Sequence, residues 1–337
     1  MRILVIGGTG FIGPHLVRRL AAMGHEVAVF HRGISNHDLP AEHILGDRRD
    51  LAQLRPRADV VIDLILSSAA QAQITMDTFR GVARRVVAAS SADVYRACGV
   101  LHGSEEGPLE PVPLTEDSPL RTKTQTYPPQ QLKAVQKFYP WVDDDYDKIP
   151  VERAIMSVPS LPGTICRLPM IYGPGDPIGR FHPMVKRMLD GRRAILFEES
   201  VSLWRAPRGY VENVAAAIAL AATDDRAAGR IYNVAETPAF SELQWARKIA
   251  AAMDWTGEFV VLPKSRMPAH LLVPGNAAQH WEVDSARIRR ELGFREVVPI
   301  EDAIRRTIEW ERSQPPRAFH PYPFDYAAED AALAATA

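Results

Sequence analysis

Short apolar runs alternate with longer amphipathic segments over the first half of the chain. The apolar runs predict strands over residues 2–6, 26–31, 43–45, 60–64, 85–89 and 163–167. Val, Ile and Ala dominate these runs, which is typical of parallel strands that helices cover on both faces. Apolar positions at helical spacing predict helices over residues 13–23 and 67–81. The alternation therefore predicts βαβ units around a parallel sheet.

The pattern changes after the fifth predicted strand. Residues 101–142 are rich in Pro, Thr, Glu and Gln with weak periodicity, which predicts a long loop. Farther along, the spacing predicts helices over 181–190, 211–223, 241–253, 285–292 and 300–313, and a strand over 230–234. The Ala-rich tail, residues 325–337, is predicted to fray.

Composition narrows the class of protein. Of the 337 residues, 46% are hydrophobic and 24% charged, which argues against a disordered or fibrous chain. Forty basic and 41 acidic side chains leave no overall field for nucleic acid or an anionic membrane, so neither partner is expected. Cys98 and Cys166 are too few for a disulfide framework, and no metal-ligand spacing is present. Without a signal peptide or a membrane span, we expect a cytoplasmic protein.

A glycine-rich turn follows the first predicted strand and opens the first predicted helix. It reads Gly7-Gly8-Thr9-Gly10-Phe11-Ile12-Gly13. Glycines permit the tight turn and the approach of a pyrophosphate, while N–H groups at the helix start face the phosphates. In this position the turn predicts dinucleotide binding, with Gly7, Thr9, Gly10, Phe11, Ile12 and Gly13 at the cofactor.

The end of the second predicted strand bears on the choice of dinucleotide. An acidic residue there would bind the adenosine ribose, whereas an Arg accommodates a 2′-phosphate. The chain has His31 and Arg32 and no acid, which favours NADP(H) over NAD(H). The alternative is that Arg32 is a solvated loop residue. Asp47, after the third strand, is a candidate acceptor for the adenine amino group.

Six segments together resemble the extended short-chain dehydrogenases/reductases, the NAD-dependent epimerase/dehydratase family. They are residues 7–13, 46–47, 90–95, 167–176, 208–214 and 232–234. The resemblance implies an α/β fold, a Rossmann-type doubly wound parallel sheet with a smaller C-terminal α/β substrate lobe. It places the dinucleotide-binding domain at residues 1–171 and 208–235 and the substrate lobe at 172–207 and 236–337. A homodimer is a further implication of the family.

The family's catalytic residues are a Ser or Thr, a Tyr, and a Lys four residues after that Tyr. By position, the resemblance implies Ser91 as the serine, although a structural serine at a strand end is the alternative. Lys148 lies four residues before Glu152, as the family lysine commonly precedes a glutamate. The family tyrosine then falls on Asp144, which is a poor proton donor to an alkoxide.

Tyr146 is the candidate replacement for the displaced tyrosine. Pro150 restricts the helix start to about Asp147, a suitable N-cap, so Tyr146 precedes the helix in extended chain. Residues two apart in extended chain point the same way, which lets Tyr146 share the cleft with Lys148. The alternative is a packing or substrate-contacting tyrosine.

The remaining candidates follow from the resemblance. The candidate substrate contacts are Tyr95, Tyr172 and Arg208, and the candidate cofactor contacts are Pro169 and Lys148. The alternatives are that Tyr95 is a core residue and that Arg208 forms a surface ion pair. The implied function is NADP-preferring hydride transfer at a hydroxyl or keto carbon of a small, sugar-like molecule. The rival is an NAD(P)-binding sensor or scaffold that has lost catalysis, and an RNA-binding relative of the fold is a remoter one.

Overall fold

The computed structural model describes residues 1–34, 38–124, 127, 129–313 and 323–335. Its strands are β1 (Arg2–Ile6), β2 (Glu26–His31), β3 (Glu42–Leu45), β4 (Val60–Asp63), β5 (Arg85–Ser91), β6 (Gly163–Leu168), β7 (Met170–Tyr172), β8 (Ala194–Glu198), β9 (Arg208–Tyr210), β10 (Ile231–Asn233) and β11 (Glu258–Leu262). Seven of them form one sheet in the order β3-β2-β1-β4-β5-β6-β10, and every pairing is parallel. The doubly wound parallel sheet predicted from the sequence is confirmed.

The helices are α1 (Gly13–Ala22), α2 (Leu51–Leu54), α3 (Ala69–Phe79), α4 (Arg96–His102), α5 (Pro129–Phe138), α6 (Lys148–Met156), α7 (His182–Leu189), α8 (Glu199–Leu203), α9 (Val211–Thr223), α10 (Glu242–Ala252), α11 (Ala286–Leu292), α12 (Ile300–Ser313) and α13 (Tyr326–Ala334). In the described part of the chain, none is both long and apolar enough to cross a membrane.

Helices cover both faces of the sheet, as the apolar character of its strands requires. Ile3 and Val5 of β1 face a core closed by α1, α9 and α11, whereas Leu4 and Ile6 face one closed by α2, α3 and α6. This alternation follows from the period of two along a strand. The strand order reverses between β1 and β4, so the carboxyl ends of these two strands form the crevice where ligands of such sheets bind.

Helix α11 packs on the sheet, although the sequence assigns its residues to the C-terminal lobe. Ile288 and Leu292 are four residues apart and form one apolar face of the helix. That face contacts α9 and β10. A segment of the predicted substrate lobe thus packs on the sheet of the predicted dinucleotide-binding domain, and the division into these two domains stays a prediction.

A second core lies beyond the carboxyl edge of the sheet. It joins the two-stranded pairs β7–β9 and β8–β11 to α7, α10 and α12. Aromatic rings fill its centre, where Tyr172 stacks on Phe181 at 5.0 Å and meets Trp245 edge-on at 5.4 Å. The pairs β7–β9 and β8–β11 are absent from the sequence prediction, because strands of three to five residues give too little periodicity to recognise.

The prediction of one long loop over residues 101–142 is wrong. Helix α5 occupies ten of these residues. Only Leu132 of α5 is buried, so the apolar stripe is narrow and its periodicity weak. We name residues 139–147, which follow α5, the crossing segment. Its Asp143 accepts hydrogen bonds from Ser67 and Ser68 after β4, and its Tyr146 donates to Asp93 after β5.

The Ala-rich tail forms α13 and does not fray over Tyr326–Ala334. Glu329 is fully buried in the contact of this helix with α7. Its carboxylate accepts hydrogen bonds from Arg187 Nη2 at 2.6 Å and Arg187 Nε at 3.1 Å, and it lies 3.1 Å from His270 Nε2. A buried charge paired in this way fixes the helix, and a composition rich in alanine does not reveal it.

Candidate active site

The glycine-rich turn lies at the carboxyl end of β1 with two of its glycines fixed by the protein itself. Gly7 has φ of +83°, and a Cβ at Gly13 would lie 2.3 Å from the backbone of Gly8. Gly10 differs, because it is exposed and a Cβ there would meet nothing closer than 3.5 Å. Packing within the protein therefore does not explain why position 10 is a glycine. The close approach of a pyrophosphate to the backbone explains it.

The start of α1 adds a binding feature for phosphate. No side chain caps this helix, its N-cap being Ile12, and its first turn has no acidic residue. The backbone N–H groups at an uncapped helix N-terminus have no acceptor within the helix, and the helix dipole favours an anion there. Thr9 is half-buried in the turn, and Phe11 and Ile12 pack against the second core. The residues present therefore fit the diphosphate of a dinucleotide.

The predicted adenosine end contains two histidines in contact. His31 Nε2 lies 2.9 Å from His43 Nδ1, and His31 Nδ1 accepts a hydrogen bond from the Gly33 amide at 3.2 Å. Arg32 is exposed beside them. Asp47 is held by Arg49, and the hydrogen bonds from that residue, helped by the charge of Arg32, lower the pKa of the Asp47 carboxyl. Arg32 and Asp47 thus lie near each other at the edge formed by β2 and β3.

The sequence reasoning missed an ion pair under this edge. Arg48 binds both oxygens of the fully buried Asp63 at 2.7 and 2.8 Å, and Thr75 donates to the same carboxylate at 2.8 Å. The pair ties the loop after β3 to the carboxyl end of β4. Two features of the sequence could have indicated this pair. Arg48 directly follows Asp47, and Asp63 is an acid at the end of a buried strand.

The predicted catalytic residues come together at the carboxyl end of β5. Ser91 Oγ accepts a hydrogen bond from the Asp93 amide at 3.2 Å, and Tyr146 donates its hydroxyl hydrogen to Asp93 Oδ2 at 2.8 Å. Lys148 Nζ lies 5.8 Å from the centre of the Tyr146 ring. Asp93, which the sequence reasoning did not single out, contacts Tyr146 through its carboxylate. Ser91 caps the turn Ala92–Val94 through the Asp93 backbone amide, a contact that the alternative of a structural serine also explains.

Helix α6 begins where the sequence predicts it to begin. Asp147 is the N-cap, has extended dihedrals, and accepts a hydrogen bond from the Ile149 amide at 2.9 Å. Tyr146 therefore precedes the helix and is almost completely buried. Asp144, at the position of the family tyrosine, points instead to solvent and pairs with Lys133 at 2.8 Å.

Lys148 is the buried cation of the site. Its ammonium donates hydrogen bonds to the carbonyl oxygens of Leu66 and Ala89, the latter at 3.1 Å, and lies 5.2 Å from the centre of the Trp141 ring. Burial lowers the pKa of Lys148 to about 8, although the charge of Asp93 opposes the shift. The Leu66 carbonyl lies in the loop after β4 and the Ala89 carbonyl lies in β5, so Lys148 links this loop to β5.

Raising the pH should stabilise the wild-type protein relative to Lys148→Met. Below about pH 8 Lys148 is charged in both states, so the cost of its burial is fully present. Between this value and the ordinary 10.5 the folded protein releases the proton first. The difference in free energy of unfolding should move in favour of wild type by about 3 kcal/mol. Denaturant titrations of both proteins from pH 7 to 10.5 measure it; a constant difference would contradict the burial of a charged Lys148.

A buried network supports the strands that carry these residues. Arg167 binds Glu152 through two hydrogen bonds of 2.8 and 3.0 Å, and Glu152 accepts another from Ser90 at 2.6 Å. The hydroxyl of Tyr95 accepts from Arg167 at 2.9 Å and donates to Asn233 at 2.6 Å. Tyr95 is fully buried, so this geometry favours the core alternative over a substrate contact.

The other candidate substrate contacts are also engaged within the protein. Tyr172 is fully buried, and its hydroxyl lies 3.2 Å from both carboxylate oxygens of Glu236. Arg208 Nη2 lies 2.6 and 2.7 Å from the two carboxylate oxygens of Glu242, and its guanidinium lies 5.2 Å from the centre of the Trp245 ring. Each side chain therefore has its own acidic partner within the protein, but Arg208 Nε is buried and has no hydrogen-bond partner among the described residues.

Pro169 is half-buried directly after β6, and a Cβ at Gly209 would lie 2.8 Å from its ring. It therefore packs against β9 at the carboxyl edge of the sheet. This is the edge that also carries the glycine-rich turn and Ser91.

A doubly wound parallel sheet with an uncapped helix after a glycine-rich turn defines a dinucleotide-binding α/β protein. The chain belongs to the NAD dependent epimerase/dehydratase family, whose sequence profile matches residues 3–235. A nicotinamide dinucleotide is the cofactor class of this family and the one for which the turn is suited.

Two curated proteins resemble parts of the chain. A 2′-dehydrokanamycin reductase of Streptomyces kanamyceticus is 37% identical over 97 residues, which are 27% of this chain and 28% of that protein. The chloroplast stem-loop binding protein of 41 kDa b of Arabidopsis thaliana is 31% identical over 130 residues, 33% of this chain and 34% of that protein. The matched segments thus span about a third or less of each relative's length.

The structure is also similar to that of MoeE5 in complex with UDP-glucuronic acid and NAD. The TM-score is 0.67 at 20% sequence identity, and the likeness covers 93% of this chain and 99% of that one. At this identity the likeness shows a common fold.

Proposed function

We propose that the protein is an NADP(H)-preferring oxidoreductase or epimerase that transfers hydride at a hydroxyl or keto carbon of a small, sugar-like substrate. The observation that carries the proposal is the position of Tyr146 and the buried ammonium of Lys148 at the carboxyl end of β5, where Tyr146 donates to the Asp93 carboxylate two residues after Ser91. The names of one curated relative, a reductase, and of one similar structure, a UDP-sugar complex, support a sugar-like substrate.

The site supplies the groups that such a reaction needs. The dinucleotide, when bound, supplies or accepts the hydride. Ser91 hydrogen-bonds the substrate oxygen, Tyr146 transfers the proton to or from it, and Lys148 fixes the ribose. The crossing segment buries Tyr146 almost completely, which shields its hydroxyl from solvent.

The preference for NADP(H) rests on Arg32. Arg32→Ala should weaken NADPH by about 1.5–3 kcal/mol, the contribution of a charged hydrogen bond, and NADH much less. Titrating emptied protein with each nucleotide measures both effects. The matched control is Arg57→Ala. Arg57 is an exposed arginine before the amino end of β4, away from the predicted cofactor site, so its replacement should change neither affinity. Equal weakening of NADPH and NADH by Arg32→Ala would remove the case for 2′-phosphate recognition.

Denaturing the purified protein and identifying any released nucleotide by mass separates the reaction types. Retained oxidised dinucleotide supports an epimerase or dehydratase, which regenerates its cofactor within each cycle. An emptied protein that binds NADPH reversibly supports a reductase. Binding of neither nucleotide would favour the sensor or scaffold.

RNA binding is the second candidate, because one curated relative is a stem-loop binding protein. The formal net charge of −1 argues against it. An RNA affinity that collapses with salt would support it.

The homodimer and the cytoplasmic location stay predictions, and sedimentation at several concentrations tests the first.

A further inference from the structure

Asp93 is a buried carboxyl group with tyrosine hydroxyls on one side only. Its side chain is 1% exposed and lies directly after β5, between Ser91 and the crossing segment. Asp93 Oδ2 accepts hydrogen bonds from Tyr146 at 2.8 Å and from Tyr127 at 3.3 Å. Neither phenol is the ordinary partner of a structural aspartate, which is an arginine, a lysine or a backbone amide.

The second oxygen of this carboxyl group, Asp93 Oδ1, is buried and has no hydrogen-bond partner among the described residues. An unsatisfied buried acceptor is unfavourable by about 1–3 kcal/mol, and more if it is charged. A catalytic function of the carboxyl group is one explanation for the unpartnered Asp93 Oδ1. Stability alone would favour an asparagine or an apolar residue at this position.

The same carboxyl group makes ionisation of Tyr146 unfavourable. Burial raises the pKa of the Tyr146 phenol well above its ordinary value, and the neighbouring Asp93 charge raises it further. Lys148 directs its hydrogen bonds to the carbonyls of Leu66 and Ala89, and its ammonium is closest to the face of the ring. Tyr146 therefore lacks the stabilisation that a free phenolate needs in a low-dielectric site.

We propose that Asp93 is the terminal proton acceptor of the site and that Tyr146 conveys the proton between Asp93 and the substrate oxygen. This inference rests on the proposed function. In hydroxyl oxidation, the carbon gives up hydride to the dinucleotide and the substrate O–H bond breaks. The substrate proton goes to the Tyr146 oxygen as the Tyr146 proton goes to Asp93 Oδ2, and a carbonyl forms. Reduction reverses each transfer, so Tyr146 never bears a full charge.

Other titratable groups surround the carboxyl group and enter the design of the test. They are Cys98 and His102 on α4, Arg121, Tyr127, Tyr146 and Lys148. Arg121 donates to the backbone carbonyl of Asp93 at 2.6 Å and to Asp147 Oδ1 at 3.1 Å, so its charge is shared. Burial lowers the pKa of His102, which makes it the second candidate for any acidic transition.

The first test follows the phenol of Tyr146 and needs no substrate. Full-length protein with ¹³C-labelled tyrosine rings is titrated by NMR, and Tyr146→Phe assigns the resonance. We expect Asp93→Asn to raise the ionisation constant of Tyr146 at least 10-fold, because the neighbouring negative charge is gone. Asp144→Asn, which removes an exposed aspartate two residues before Tyr146, should leave it unchanged. An unchanged Tyr146 titration in Asp93→Asn would overturn the proposal.

The second test is the pH profile of hydride transfer with NADP⁺ and any alcohol that the protein oxidises. The kcat of wild type should fall on the acidic side of the profile, because a protonated Asp93 accepts no proton. Asp93→Asn should lower kcat 10–100-fold, abolish this acidic limb, and leave the KM for NADP⁺ within twofold. A limb that survives Asp93→Asn and disappears in His102→Asn would assign the proton to the histidine and overturn the proposal.

The two tests also separate this inference from the proposed function. Coupling of Tyr146 to Asp93 in the titration, with no oxidation or reduction of any substrate, would refute the hydride-transfer function and with it the assignment of Asp93 as acceptor. Oxidation by wild type with an unaltered profile in Asp93→Asn would retain the function and refute the proton acceptor alone.

Discussion

Tyr146→Phe is expected to lower kcat for hydride transfer by about 10²–10⁴-fold, the contribution of a positioned acid or base. The substitution removes one oxygen and keeps the ring, so the packing beside Trp141 and Lys148 is retained. The dissociation constant of NADPH should stay within twofold, because the hydroxyl contacts Asp93. Single-turnover kinetics and nucleotide titration on the same preparation measure the two quantities.

Tyr139→Phe is the matched control, since Tyr139 is a tyrosine of the same crossing segment and lies outside the site. Its hydroxyl interacts with Arg180. We expect kcat to change less than twofold. A Tyr146→Phe protein with wild-type kcat would show that the proton does not pass through this residue, and Ser91 or a water molecule would have to supply it.

Glu152→Leu is expected to lower the free energy of unfolding by about 3–5 kcal/mol, the usual effect of removing one partner of a buried ion pair. Arg167 and Glu152 are both at most 5% exposed, and the substitution leaves the guanidinium without its anion. Ser90 would lose its acceptor as well. Denaturant unfolding measures the effect.

Two further variants separate charge from packing at this pair. Replacing both partners in Glu152→Leu/Arg167→Met should recover most of the lost stability, because no unpaired charge remains buried. Lys133→Ala, which breaks the exposed pair with Asp144, should leave the free energy of unfolding nearly unchanged, because solvent screens an exposed ion pair. Equal effects of Glu152→Leu and Lys133→Ala would contradict the burial of the Arg167–Glu152 pair.

The parts of the fold that local chemistry decides could be predicted from the sequence. The first strand, the glycine-rich turn and the start of α1 are consecutive, so their order alone indicates a nucleotide crevice. The start of α6 is set by Pro150 and by the Asp147 cap, two residues that act within one helical turn. The position of Tyr146 just before the helix could therefore be predicted without coordinates, whereas its replacement of the family tyrosine stays a prediction.

What the sequence could not predict depends on partners far apart along the chain. Tyr95 is a core residue because Arg167 and Asn233 reach its hydroxyl from β6 and β10. Arg208 is neutralised by Glu242, 34 residues later. Asp93 is a candidate site residue because it accepts a hydrogen bond from Tyr146, 53 residues later, and nothing near Asp93 in the sequence indicates that contact. Local patterns carry no information about such pairings.

Hydride transfer from labelled cofactor tests the central claim most directly. The emptied protein is reloaded with NADPH that carries deuterium at C4, in either configuration, and mixed with keto derivatives of aminoglycosides and of nucleoside-diphosphate sugars. We expect one cofactor configuration to deliver one deuterium to the carbinol carbon of a product, and Tyr146→Phe to suppress the transfer. Bound NADPH that delivers deuterium to no member of the panel would contradict it and favour a sensor or scaffold.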